Sequence, residues 1–320
     1  MIHEEILSRL RPITAEENAI LSGEGDIDRA LYSEKDSNVI NAHKLLDSGK
    51  LITIRPHTRF VHFPEHRHDY VEVVYMAQGS TTHIANGTRI ELHEGELLFF
   101  GQGARQEILP AGENDLAVNF IILPPFFDKA LEMLGVDETP LRRFILDSLR
   151  EEASGFLYFK VADVLPVRNL VENLLWTLIH DVPNRRSINQ TTMGLLFLQL
   201  VNHTEHLVTD RDEDSAMLKV FRYIEENYRD GSLTDLSALM HYDLYWLSRN
   251  IRTRTGKTYT ELVQDKRLSQ AAFLLRSTAL RVDDVAAAVG YSNMSYFHRL
   301  FQTQYGMSPK KYRDKSGKPA

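Results

Sequence analysis

The last hundred residues contain a near repeat, and it restricts that part of the chain more than any other feature does. At an offset of 49, Asp235, Leu236, Ala238 and Tyr242 are matched by Asp284, Val285, Ala287 and Tyr291. At an offset of 50, Leu247, Arg249, Ile251 and Gly256 are matched by Phe297, Arg299, Phe301 and Gly306, so one residue has been inserted in the second turn. Self-similarity of this kind marks one supersecondary unit used twice. Each copy reads as a short helix, a tight turn and a second helix, the pattern of a helix-turn-helix. Ala238 and Ala287 are small where two helices must cross, and Gly290 suits the turn. The first copy has His241 there instead, a residue type enriched at positive φ. Between the copies, Thr258 to Ser277 reads as one continuous amphipathic helix, with Leu262, Val263, Ala271, Leu274 and Leu275 on or near one face. Such a rod is about 30 Å long. That is close to the roughly 34 Å between successive major-groove faces of B-DNA, which lets both second helices address one side of a duplex.

Charge is divided in the same sense. From Ala216 onward there are 17 Lys plus Arg against 10 Asp plus Glu, a balance of +7, which leaves −14 on the first 215 residues of a chain whose total is −7. A basic module beside an acidic one fits a nucleic-acid binder joined to a control domain. The polar run Thr209 to Ser215 reads as the linker. The sequence has no cysteine, which excludes disulfides, thiolate metal sites, iron–sulfur clusters and cysteine nucleophiles. Its richest apolar stretch, Met193 to Val201, is far below the 18 or so residues of a membrane span. Met1 to Arg11 lacks the apolar core of a secretory signal, so a cytoplasmic location is expected.

Residues 1–50 read as a polar helical segment. From Leu51 the pattern changes to short β-type runs: Leu51 to Ile54, Val71 to Met76, Thr81 to Ala85, Arg89 to Leu92, Leu97 to Phe100 and Leu116 to Leu123. Asn86 and Gly87 both tolerate the positive φ of a two-residue hairpin loop. Strands at this spacing predict a small sandwich or barrel over 51–123. Helical periodicity returns over 124–208, in Phe126 to Leu134, Leu141 to Leu149, Leu165 to Ile179 and Thr191 to Leu207. The last two are apolar enough to require a partner, either the barrel or a second copy of the chain. The expected architecture is therefore α+β with two domains. A linker at 209–215 separates the N-terminal β-rich part and its helices from an all-α module at 216–315, followed by a tail at 316–320.

The C-terminal module resembles the DNA-binding domain of AraC/XylS-type transcription regulators. The matching residues are Leu247 and Arg249, Tyr259 and Leu262, Lys266 and Leu268, Val285 and Ala286, Gly290 and Tyr291, Tyr296, Phe297, Arg299 and Phe301, and Tyr305 through Pro309 with Tyr312 and Arg313. The resemblance implies a first recognition helix from about Asp243 to Thr253. It would present Tyr245, Ser248, Arg249 and Arg252, with Leu244, Leu247 and Ile251 buried. A second recognition helix, from about Asn293 to Gln304, presents Asn293, Ser295, His298, Arg299 and Gln302. Arginine pairs with guanine O6 and N7 through two hydrogen bonds, whereas Ser and His contacts are less decisive. Lys257, Lys310, Lys311 and Arg313 read as phosphate contacts or solvated charge. Tyr296, Phe297 and Phe301 read as core.

In the β-rich part, His66, His68 and Glu72 followed by Gly79 have the spacing of the first cupin motif, and Gly95 through Phe100 with Gly103 extend the likeness. The region resembles the small cupin barrels that sense ligands in AraC-type regulators. In that reading His66, His68, Glu72, His83 and Gln106 bind a small-molecule effector, and their many donors and acceptors suit a polyhydroxylated ligand such as a sugar. Two histidines and a carboxylate would also suit a divalent transition metal. The alternative is thus a metal-dependent cupin enzyme fused to a DNA-binding domain. Metal-binding cupins usually add a histidine where this chain has Gln106, a poor ligand for such metals. The expected function is a non-enzymatic, cofactor-free regulator that binds double-stranded promoter DNA as a homodimer. Family habit leans to activation, which adds RNA polymerase as a partner.

Overall fold

A computed structural model describes residues 2–23, 27–35, 37–128, 155–203, 206–209 and 212–315. The expected helix Phe126 to Leu134 beyond Asp128 and the expected helix Leu141 to Leu149 lie outside the described residues, as does the tail at 316–320. The described chain divides into two units between Asp214 and Ser215.

The first unit opens with α1 (Glu4–Leu10) and α2 (Ala15–Leu21). Thr14 and Glu17 close a capping box at the start of α2. After β1 (Val39–Ile40) and α3 (Ala42–Leu45), eight strands follow: β2 (Ile52–Pro56), β3 (Phe63–His68), β4 (Val71–Gln78), β5 (Ser80–Ala85), β6 (Thr88–His93), β7 (Leu97–Phe100), β8 (Gln106–Ile108) and β9 (Leu116–Ile122). They do not close into a barrel. One sheet of five strands runs β1-β3-β8-β5-β6, and one of six runs β11-β10-β7-β4-β9-β2, where β10 is Phe156–Phe159 and β11 is Leu207–Thr209. The sandwich therefore takes strands from both sides of 51–123: β1 pairs in parallel with β3, and β10 extends the sheet beyond β7.

Sequence pattern and burial agree strand by strand. β5 alternates between buried and half-buried positions, as a strand with one covered face does. β7 is buried throughout and β4 through all but its last residue, which is why they read as continuous apolar runs. One face of β4 points between the sheets, where Val74 and Met76 pack with Leu98, Phe100 and Phe156. The other face meets α4 (Leu165–Ile179) and α5 (Arg185–Asn202). There Val73, Leu97, Phe99 and Phe120 lie against Val171, Leu174, Met193 and Leu196. The apolar helices thus find the partner they require in the sandwich. α5 starts and stops earlier than periodicity suggests, and Leu207, expected at its end, begins β11. The hairpin at Asn86 and Gly87 has φ of 50° and 83°, the two positive values its sequence demands.

The expected linker is shorter than its composition implies. Thr209 ends β11, and α6 begins at Asp212 and runs to Asn227. Acidic residues in a first helical turn are favoured by the helix dipole, so a run of Asp and Glu starts a helix as readily as it makes a loop.

The second unit is all α. Beyond α6 come α7 (Leu233–Met240), α8 (Leu244–Thr255), α9 (Tyr259–Ser277), α10 (Val282–Ala288), α11 (Met294–Tyr305) and α12 (Pro309–Lys315). The sequence repeat is a repeat of stop and start signals. α7 ends on His241 at φ 55°, and the turn after α10 has Gly290 at φ 90°. In each turn the next amide bonds back five residues, Tyr242 to Ser237 and Tyr291 to Ala286. Asp243 caps α8 by accepting from the Trp246 amide at 2.8 Å, and Asn293 caps α11 by accepting from Tyr296 at 3.0 Å. Gly256 and Gly306, both at φ 69°, end the two helices. The inserted residue is Ser292, in the second turn.

Glycine is required at position 290 for space as well as for φ, because a Cβ there would lie 2.7 Å from the Arg229 carbonyl oxygen. α9 is less one-sided than its sequence suggests. Tyr259, Leu262, Lys266, Leu268, Ser269, Ala272 and Leu275 are all buried, since the helix is the spine on which both copies pack. Lys266 tolerates burial by pairing with Glu225 of α6.

Candidate functional site

Two surfaces carry chemistry, one in each unit. In the second, α8 and α11 each bury an apolar stripe and expose the opposite one. Leu247 and Ile251 are buried on α8, as are Phe297 and Phe301 on α11, whereas Leu244 is only half-buried. Tyr245, Ser248, Arg249 and Arg252 are exposed on α8, and Ser295, His298, Arg299 and Gln302 on α11. The Arg299 guanidinium lies 5.3 Å from the centre of the Tyr296 ring, which holds it against the helix.

Three expectations change here. Asn293 stands outside α11 and uses its side-chain oxygen as the cap, so only its NH₂ is available outward. Lys257 is paired with Asp265 at 2.6 Å. Arg313 donates to the carbonyls of Leu275 and Leu280 and so fastens α12 to the end of α9. Lys310 and Lys311 remain exposed. Trp246 is the residue that sequence reasoning missed. It is 40% exposed and stacks on Tyr242 with ring centroids 4.7 Å apart. The signal was a tryptophan where the second copy has Tyr296.

In the first unit a small pocket opens beside the two sheets. Its lining includes Tyr32, Arg55, His57, Phe63, His66, Tyr70, Glu72 and Asn119. Of the five expected residues, His66 and Glu72 reach it directly, and His68, His83 and Gln106 stand behind them, all buried. The Gln106 amide bridges His66 Nε2 at 3.1 Å and His83 Nδ1 at 3.2 Å. Thr81 contacts His83 Nε2 at 3.0 Å, and the Pro64 carbonyl lies 2.9 Å from His66 Nδ1.

Burial drives these imidazoles towards the neutral form: the His66 pKa falls to about 4, and those of His68 and His83 fall well below 6.5. A neutral His66 that donates through Nδ1 to Pro64 can only accept at Nε2. The structure has the Gln106 oxygen toward His66 and its NH₂ toward His83; a neutral His66 favours the flipped amide, with N–H toward His66 and oxygen toward His83.

The second cluster was half legible. Glu72 accepts from Asn119 Nδ2 at 3.1 Å, and Asn119 Oδ1 is 3.0 Å from His57 Nδ1. Neither His57 nor Asn119 stood out in the sequence, although Asn119 is the lone polar residue in the apolar β9. His68 Nε2 lies 3.7 Å from Glu72 Oε1, too far for a hydrogen bond. Burial raises the Glu72 carboxyl to about 7. His57 Nε2, both His68 nitrogens and Glu72 Oε2 have no hydrogen-bond partner. Buried polar atoms left so are costly, and those facing the pocket are free to meet a ligand. Among the described residues no three His, Asp or Glu side chains converge as a metal site does. The buried donor set fits a hydrogen-bonded ligand better than a metal, because Gln106 and Asn119 occupy its centre.

Comparison with known proteins matches a domain in each unit. An AraC-like ligand binding domain matches residues 48–186, and a helix-turn-helix domain matches residues 236–315. The chain is similar to the HTH-type transcriptional activator RhaS of Mannheimia succiniciproducens, at 25% identity over 78% of this chain and 89% of the relative. It is similar to RhaS of Pectobacterium atrosepticum at 22% identity, over 82% and 91% respectively. Among solved structures, apo ToxT from Vibrio cholerae shares 13% identity at a TM-score of 0.39, over 85% of this chain and 100% of that one. With a ligand-binding domain and a helix-turn-helix domain matched in this order, the chain belongs to the AraC/XylS family of DNA-binding transcription regulators.

Proposed function

We propose that the chain is a one-component activator: a small polyhydroxylated effector, such as a sugar, enters the sandwich pocket and changes how a dimer engages promoter DNA and RNA polymerase. The observation that carries this is the set of buried, unpartnered polar atoms on Glu72 and His57 at an open pocket. Adjacent hydroxyl groups complement an acceptor carboxylate and an imidazole nitrogen together. His66 reaches the same ligand and is held by Gln106, which His83 backs, while His68 lies behind with both nitrogens unpartnered. The RhaS relatives, named as activators, support the sign of the output. No catalytic step and no metal are assigned to the site, and the protein acts in the cytoplasm. Among the described residues no helix is long and apolar enough to cross a membrane.

On DNA, Tyr245, Ser248, Arg249 and Arg252 address one half-site, and Ser295, His298, Arg299 and Gln302 the next, with Asn293 contributing its amide. Dimerisation uses α5. Met193, Leu196, Phe197 and Leu200 of that helix are buried, while Ile188, Leu195 and Leu198 remain 37%, 44% and 38% exposed along the outer side. Effector binding acts by population shift, through different affinities for two conformations of the dimer.

The test is promoter affinity measured with and without a panel of monosaccharides and sugar acids, in the wild type and in Glu72→Gln. A response to one compound that is lost in Glu72→Gln with folding intact is expected. DNA affinity and transcription unchanged by every compound that binds would overturn the proposal. Leu195→Glu should yield monomers by sedimentation, and an unaltered mass would move the interface elsewhere.

A further inference from the structure

The two helix-turn-helix copies share caps and cores, yet they present different chemistry. In register, α8 carries Tyr245, Trp246 and Ser248 where α11 carries Ser295, Tyr296 and His298. Tyr245 is 82% exposed, and beside it Trp246 stacks on Tyr242, which is itself 38% exposed. The second copy has no such surface. Its counterpart of Tyr242, Tyr291, is buried, and Tyr296 is held by Gln264 at 2.7 Å and flanked by the Arg299 guanidinium.

An exposed aromatic cluster needs an occupant, and the neighbouring residues indicate which. The patch is continuous with exposed Arg249 and Arg252 on the same helix. An apolar protein surface would have to desolvate both guanidinium groups without return, whereas duplex DNA offers them phosphates and guanine edges. In the major groove, the one apolar feature on a base edge is the thymine 5-methyl group. Aromatic side chains are suited to it, because they bring a large rigid face and lose little rotamer freedom on contact.

We propose that the first helix-turn-helix selects thymine methyl groups through Tyr245 and Trp246, while the second reads donor and acceptor edges through His298, Arg299 and Gln302. This rests on the assignment of α8 and α11 to DNA. It predicts two half-sites of different character, the first dependent on thymine and the second on guanine.

The probe is a set of duplexes enriched from a random pool by the full-length wild-type protein, in which each thymine is replaced in turn by uracil. Uracil removes the methyl group and leaves the hydrogen-bonding edge intact. Loss of footprint contrast in Arg249→Ala or in Arg299→Ala assigns each half-site to its helix. We expect at least one thymine in the α8 half-site to cost about fourfold in affinity on replacement, the worth of one buried methyl group. Replacement in the α11 half-site should have no effect. Tyr245→Ser and Trp246→Tyr, which give α8 the side chains found in α11, should abolish the sensitivity. Tyr245 is so exposed that its replacement does not threaten folding. Affinity indifferent to every uracil, or sensitivity kept in both variants, overturns the proposal. Variants that bind the enriched duplexes normally, keep uracil sensitivity and fail only in transcription would show that the patch docks a protein instead. Failure to enrich any duplex would overturn the DNA assignment itself, and is distinguishable because it precedes the uracil step.

Discussion

The buried imidazoles of the sandwich make its stability fall in mild acid by an amount that can be worked out. His66, His68 and His83 are neutral in the fold because burial opposes their charge, and their ordinary pKa is 6.5. A base whose pKa is depressed on folding contributes stability above its unfolded pKa and loses it as pH falls. At pH 5.5 each unfolded imidazole gains a little over 1 kcal/mol of proton binding that a folded neutral one forgoes, about a factor of ten in protonation. Together these three remove about 4 kcal/mol relative to pH 7.5, and His57, whose pKa burial also lowers, adds to the loss.

Glu72 works the other way. Its carboxyl is raised from 4.5 to about 7, so its contribution is complete below pH 4.5 and is lost as pH rises through 7. Between pH 7.5 and 5.5 it restores about 2 kcal/mol, which leaves a net loss of about 2 kcal/mol or more. Glu72→Gln removes the opposing carboxyl and should roughly double the acid loss. The chain has two tryptophans. Trp176 lies in α4 of the sandwich unit and Trp246 in α8, so Trp246→Phe leaves fluorescence as a reporter of the sandwich alone. Urea titrations in that background should show the midpoint falling from pH 7.5 to 5.5, and falling further in Glu72→Gln. A midpoint constant over this window, or no steepening in Glu72→Gln, would refute the neutral imidazole cluster.

Other consequences follow from single contacts. Arg249→Ala and Arg299→Ala should each cost about 1–3 kcal/mol of DNA affinity and relax base preference at one position, whereas Lys310→Ala should weaken all sequences alike. Competition binding against single-base variants separates these outcomes. Arg59 is 2% exposed, and its guanidinium meets both oxygens of the buried Glu17, at 2.8 and 2.9 Å, and the carbonyl of Glu113. Removing one partner leaves an uncompensated buried charge, so Arg59→Ala should destabilise the sandwich unit by about 3–5 kcal/mol in urea. Gly290→Ala places a Cβ against the Arg229 carbonyl and should lower the melting temperature of the DNA-binding unit. Gly256→Ala meets nothing within 4 Å and should cost only the positive-φ strain, about 1 kcal/mol.

Local signals made the second unit readable from sequence. Its caps, turn glycines and apolar stripes are each set by a few neighbouring residues, and the repeat let one copy check the other. His241 kept the left-handed turn without glycine because its side chain tolerates that conformation. The first unit depends on pairings between distant segments, which a single sequence does not display. Val39 and Ile40 are β-branched but too short a run to read as a strand, and form β1 against β3. Phe156 to Phe159 joins β7 across a long separation. The cupin spacing identified His66, His68 and Glu72, but the groups that complete the pocket come from elsewhere, His57 from just past the end of β2 and Asn119 from β9. Arg313 illustrates the reverse error. A basic residue in a basic module looked available for phosphate, and it is spent on two backbone carbonyls.

The central claim is that this protein binds particular DNA sites through two linked helix-turn-helix units. It is tested most directly by capture of genomic fragments with the purified full-length protein at a stated physiological salt concentration, because salt sets the non-specific background. The account predicts a small number of enriched sites, each with paired half-sites about one helical turn apart, and loss of enrichment in the double variant Arg249→Ala with Arg299→Ala. Uniform binding that disappears as salt is raised, with no site enriched and no effect of the arginine variants, would contradict it.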